Sequence, residues 1–126
     1  MITKHPHTRD QETMLSLSTV ADYERLLARS QDEPVLIYKH SSICGMSSRA
    51  SRLLTQAAKK TFLPIYRLIV QTARPLSNMI ASELEIRHES PQVILLYRNK
   101  VLYHASHRRI SPDAIRAAAA SSLHSK

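Results

Sequence analysis

A chain of 126 residues with 43% hydrophobic side chains is the size of one domain and can bury a core, which sets aside a disordered polymer and a multidomain assembly. The net charge of +8 invites an anionic partner, but the basic residues are spread along the chain and aromatics make up only 5%, too sparse for a base-stacking platform, so nucleic acid is not expected. One cysteine excludes an internal disulfide framework, no run approaches the roughly 20 apolar residues of a membrane span, and Met1–His7 has no apolar signal core; a cytoplasmic setting without a membrane partner is the expectation.

Residues 1–14 read as a flexible N-terminal tail and 15–126 as the folded domain, with no linker and no internal repeat. Ser18 or Thr19 can cap a helix running to about Ser30, with Val20, Tyr23, Leu26 and Leu27 forming its apolar stripe. After the connector Gln31–Pro34, the continuous apolar run from Val35 to Lys39 reads as a short buried strand. Next comes Lys39-His40-Ser41-Ser42-Ile43-Cys44-Gly45-Met46-Ser47, which holds the only cysteine and the only glycine. Beyond it Met46, Ala50, Leu53, Leu54, Ala57 and Ala58 recur at helical spacing. Pro64–Val70 is a second strand. Arg74-Pro75 opens a third helix that turns Leu76, Met79, Ile80 and Leu84 inward. Ser90-Pro91 then leads into the strand Gln92–Tyr97, and Arg98-Asn99-Lys100 makes a tight turn into Val101–Ala105, with Asn99 best suited to a left-handed backbone. Ser111-Pro112-Asp113 starts a last helix with Ile115, Ala118, Ala119 and Leu123 on its apolar side.

A β-α-β opening implies parallel strands, and the closing hairpin an antiparallel pair. The expected fold is α/β and thioredoxin-like, a four-stranded mixed sheet flanked by helices on both faces. In that arrangement Cys44 lies between a strand end and a helix start, where unpaired N–H groups and the helix dipole favour thiolate over thiol. Pro91 stands where such folds place a cis-proline beside the active cysteine. The motif Cys44-Gly45-Met46-Ser47 has serine where a resolving cysteine would stand, so Cys44 must stop at a mixed disulfide until an outside thiol arrives, while Ser47 can hydrogen-bond the thiolate. Lys39 and His40 lie upstream and could add positive potential. A small buried hydrophobic cysteine is the bland alternative. No set of His, Cys, Asp or Glu has a metal-ligand spacing, so no metal is expected.

Four stretches carry a family likeness: Lys39-His40-Ser41 before the cysteine, Arg74-Pro75-Leu76-Ser77-Asn78, Arg87-His88-Glu89-Ser90-Pro91-Gln92, and Tyr103-His104-Ala105-Ser106-His107. Together they resemble the YtxJ-like monothiol bacilliredoxins, from about Ser18 to Ala119. The resemblance implies a cytoplasmic thiol–disulfide oxidoreductase that removes bacillithiol from protein mixed disulfides. Cys44 would be its nucleophile, Ser47 the serine closing the motif, and Pro91 its cis-proline. Bacillithiol would serve as thiol co-substrate with no bound cofactor, the partners would be bacillithiolated client proteins, and a monomer is expected. Bacillithiol carries a malate with two carboxylates, and Lys39, His40, Arg74, Arg87, His88 and Ser90 are the substrate-binding candidates. The family's usual motif is threonine-cysteine-proline-isoleucine-serine, so Ile43 and Gly45 depart from it.

Cys-Gly-x-Ser also looks like the monothiol glutaredoxins, which bind glutathione and iron–sulfur clusters. Those proteins seat glutathione partly on a late glycine pair, and this chain has no glycine after Gly45. A basic, non-catalytic binding module is the remaining alternative of another class.

Overall fold

A computed structural model describes residues 14–42, 45–61 and 63–124; the side chains of Met46, Ser47, residues 58–61, Leu123 and His124 fall outside the description. The expected tail, apart from Met14, and Cys44 therefore lie outside the described residues. The elements are β1 (Met14–Ser16), α1 (Val20–Arg29), β2 (Val35–His40), α2 (Gly45–Thr61), β3 (Ile65–Ile69), α3 (Arg74–Leu84), β4 (Gln92–Tyr97), β5 (Lys100–Ser106), a 3-10 turn (His107–Arg109) and α4 (Pro112–His124).

The sheet runs β1-β3-β2-β4-β5, with β3 parallel to both β1 and β2 and the remaining pairs antiparallel. β2 is central, which explains its unbroken apolar run: both of its faces are covered. Its alternating side chains divide the core. Val35 and Ile37 join Tyr23 and Leu26 of α1 and Leu76 and Ile80 of α3, whereas Leu36 and Tyr38 join Ala50 and Leu54 of α2 and Ile115 of α4. The sheet has five strands rather than the expected four. The extra one, β1, pairs with Ile65–Arg67 and is followed by fully buried Leu17, whose N–H bonds the Arg67 carbonyl at 3.0 Å. Three residues are too few to display a period of two, so the sequence carries no signal for it.

The termini follow local chemistry. Thr19 caps α1 in a reciprocal box with Asp22, and Ser111 Oγ accepts from Ala114 N–H at the start of α4. Val20, assigned to the apolar stripe of α1, is 51% exposed at the first position of the helix. The β4–β5 turn is the two-residue Arg98-Asn99, both left-handed as that hairpin requires. Glu85, at the end of α3, and His107 are also left-handed.

Gly45 is not in a glycine-requiring conformation, and a Cβ built there meets nothing within 4 Å. Replacing it by alanine restricts the unfolded chain without a clash. Gly45→Ala should therefore raise stability by about 0.4–1 kcal/mol in urea melts; a loss of stability would contradict this local account.

Candidate functional site

The carboxyl end of β2, the start of β4 and the end of β5 lie at one end of the sheet, because Lys39 pairs with Gln92 and Gln92 with Ser106. The row behind on the same face is Ile37, Ile94 and His104. The apolar face that packs α1 and α3 thus ends in a polar row at the edge from which the Cys44 segment departs. β2 ends at His40 and α2 begins at Gly45, so Cys44 occupies in sequence the last position before the helix.

Lys39 has no exposed surface. Its Nζ donates to the Ser77 carbonyl of α3 at 3.2 Å and lies 3.3 Å from His88 Nδ1. No carboxylate among the described residues forms a salt bridge with it. Burial lowers its pKa to about 8. An ammonium can only donate, so His88 Nδ1 carries a lone pair and the ring is neutral with its hydrogen on Nε2. Ser77 Oγ stands 3.0 Å from the same nitrogen. Burial first, then the charges of Lys39 and Arg74, hold the His88 pKa below its ordinary value. Three expected ligand-facing residues, Lys39, Arg74 and His88, are therefore brought together, but with different standing: Arg74 is exposed at the start of α3, His88 is half-buried, and Lys39 lies beneath both the surface and His88.

His40 points to the opposite face of β2 from Lys39. Its Nδ1 is 2.8 Å from Tyr38 Oη, and the two rings meet edge to face. Burial, followed by the Arg67 charge, lowers its pKa. The next two residues are held by Gln71, whose Nε2 donates to Ser41 Oγ at 2.8 Å and whose Oε1 accepts from Ser42 N–H at 3.3 Å. Gln71 thus fixes the backbone that leads to Cys44. Ser47 belongs to α2, but its side chain, like Cys44, lies outside the described residues.

The Ser90–Pro91 bond is cis, as its position implied. Ser90 is half-buried and Pro91 buried; the Pro91 carbonyl accepts from His107 N–H at 2.9 Å, which ties the 3-10 turn to this segment. Arg87 is exposed and lines a groove with Glu89, Gln92 and the 103–109 stretch. Sequence reasoning missed Gln71, Ser77 and Gln92. Ser77 and Gln92 each lay within a stretch that carries the family likeness, and Gln92 is also a polar residue heading an apolar strand; Gln71 offered no signal. Among the described residues no three His, Cys, Asp or Glu side chains converge, and no helix is long and apolar enough to cross a membrane.

The buried lysine has a measurable consequence. An unfolded Lys39 keeps its proton to about pH 10.5, whereas the folded one releases it near 8. Between those values the unfolded chain binds more protons, so stability rises with pH; below 8 both states are protonated and the contribution is constant. Relative to Lys39→Met, the wild type should gain up to about 3 kcal/mol between pH 8 and 10.5 in urea melts, and a flat difference would show that the lysine is not desolvated.

Comparison with known proteins agrees with this geometry. Residues 15–115 match the family model described as monothiol bacilliredoxin BrxC. Among solved structures, a thioredoxin-fold protein described as a candidate oxidoreductase is similar at 27% identity, covering 86% of this chain and 96% of its own, with a TM-score of 0.78. A variant thioredoxin from Halobacterium salinarum (17% identity, 86% and 88% covered, TM-score 0.68) and thioredoxin f from spinach chloroplast (15%, 85% and 94%, 0.69) share the fold. With a thioredoxin-like sheet and a family match over residues 15–115, the protein is of the thiol-redox class, and it belongs to the monothiol bacilliredoxin family.

Proposed function

We propose that this protein removes bacillithiol from protein mixed disulfides through Cys44. The observation that carries the reading is that the only cysteine stands, in sequence, between the end of β2 and the start of α2 in a chain of the bacilliredoxin family. The Cys44 thiolate attacks the bacillithiol sulfur of a modified client. The client sulfur leaves as thiolate and takes up a proton, and Cys44 carries bacillithiol in a new disulfide. A second bacillithiol thiolate attacks that adduct at the bacillithiol sulfur. It releases Cys44 as thiolate and leaves bacillithiol disulfide for a separate reductase. In sum the client's mixed disulfide is exchanged for bacillithiol disulfide: the client sulfur is reduced to its thiol and one free bacillithiol thiol is oxidised.

The chain's residues supply binding and electrostatics. The N-terminus of α2 and the Lys39 ammonium favour the thiolate, the latter through a low-dielectric interior that screens it little. Ser47 donates a hydrogen bond to the sulfur, and Pro91 presents backbone to the incoming disulfide. Arg74, Arg87, His88 and Ser90 face the ligand, and His40 acts from the opposite face of β2. The glutaredoxin-like reading loses ground to the family match and to the missing glycine pair.

Intact-mass analysis after incubation with a bacillithiolated client tests the proposal. One bacillithiol should move to the wild-type chain while the client returns to its free thiol mass, and Cys44→Ser should abolish the transfer. A client that stays modified beside an unmodified wild-type chain would sink it.

A further inference from the structure

Next to the cis-proline segment lies a groove of about 920 Å³, within the range of small-ligand sites. One wall is Ile86, Arg87 and Glu89; the other is the end of β5 with the turn His107–Arg109; Gln92 lies at its base. His107 and Arg108 also line a smaller cleft of about 340 Å³ with Arg49, Ala50 and Leu53 of α2. The turn therefore stands between the proline segment, to which His107 is hydrogen-bonded, and the helix that follows Cys44.

Two independent features show what the groove lacks. The first is charge. Arg87, Arg108 and Arg109 are exposed, and none is within salt-bridge distance of an acid among the described residues. Glu89 is the one carboxylate lining the groove, and His104 and His107 lie alongside. The Glu89 carboxyl is held below its usual range, first by a hydrogen bond with Ser106 and then by His107, Arg87 and Arg109.

The second is an orphaned acceptor. Gln92 is 2% exposed, and its Nε2 donates to the Arg87 carbonyl at 2.8 Å and to Ser106 Oγ at 3.3 Å. Those bonds fix which end of the amide is nitrogen. Gln92 Oε1 is left buried without a hydrogen-bond partner. An unpaired buried acceptor is costly, and a donor arriving in the groove would remove that cost.

We propose that this groove seats the non-thiol end of a small thiol bearing two carboxylates: the carboxylates on Arg87, Arg108 and Arg109, and one N–H or O–H of the ligand on Gln92 Oε1. An acidic segment of a client would reach the exposed guanidinium groups but has less cause to enter as far as a buried amide. The identity of the ligand as bacillithiol rests on the exchange reading above; the existence of the site does not.

The test uses Cys44→Ser protein, in which no exchange can occur, titrated with reduced bacillithiol and, separately, with glutathione, which shares the dicarboxylate-thiol chemistry. Saturable amide NMR shifts should appear at Gln92 and Ser106–Arg109 with at least one of them, and preference for either identifies the source. Replacing two of the three exposed arginines, Arg108→Gln with Arg109→Gln, should raise Kd about tenfold with the fold retained, equivalent to roughly 1.4 kcal/mol. Neither thiol binding, shifts confined elsewhere, an unchanged Kd in the double variant, or tighter binding of a tetra-aspartate peptide would each overturn the groove. Transfer of bacillithiol by the wild type without groove binding would fell this inference and leave the exchange reading; groove binding without transfer would do the reverse.

Discussion

A lysine without exposed surface at the end of the central strand is the constraint around which this end of the molecule is built. The four residues before Lys39 are apolar and follow the rules of a strand covered on both faces. Lys39 does not, and removing an ammonium from water is tolerable only where acceptors are fixed around it. The Ser77 carbonyl supplies one, and His88 Nδ1 another. The second acceptor requires the chain after α3 to return to the sheet, and left-handed Glu85 begins that return. Once His88 sits over Lys39, the chain runs through Glu89 to Ser90 and Pro91, delivered to the start of β4. The placement of the cis-proline segment and the satisfaction of the lysine are one arrangement.

The pairing of faces also separates two roles that the sequence presents side by side. Lys39 and His40 are neighbours in the chain, yet alternation sends them to opposite sides of β2. Lys39 becomes part of a buried polar network with α3. His40 lies against Tyr38 on the side of α2. A basic dipeptide ahead of a cysteine is thus two separate electrostatic elements, one per face.

Much of the fold was legible because its signals are strong and local: the buried run Val35–Tyr38, the capped start at Thr19, the serine–proline opening of α4 and the hairpin at Asn99. The start of a helix directly after the cysteine in sequence, and the cis bond before Pro91, followed from element order. What escaped was set by tertiary contact. β1 is too short for a pattern, and Gln71 looks like any polar loop residue until it is seen holding Ser41 and Ser42. The exposure of Arg74 against the burial of Lys39 could not be read from composition, since both are simply cations in the sequence. The orphaned carbonyl of Gln92 is visible only when its amide nitrogen is seen to be occupied.

Four described residues, Glu85, Arg98, Asn99 and His107, hold left-handed backbone although each carries a Cβ, while the chain's single glycine stands at the head of α2. Left-handed geometry costs such residues of order 1 kcal/mol each in the folded state. The opposing effect lies outside the native structure. A chain with one glycine and six prolines has few freely rotating positions when unfolded, so its denatured ensemble is unusually stiff and folding surrenders less backbone entropy. Part of the stability of this domain therefore resides in the poverty of its unfolded state rather than in any contact of the folded one.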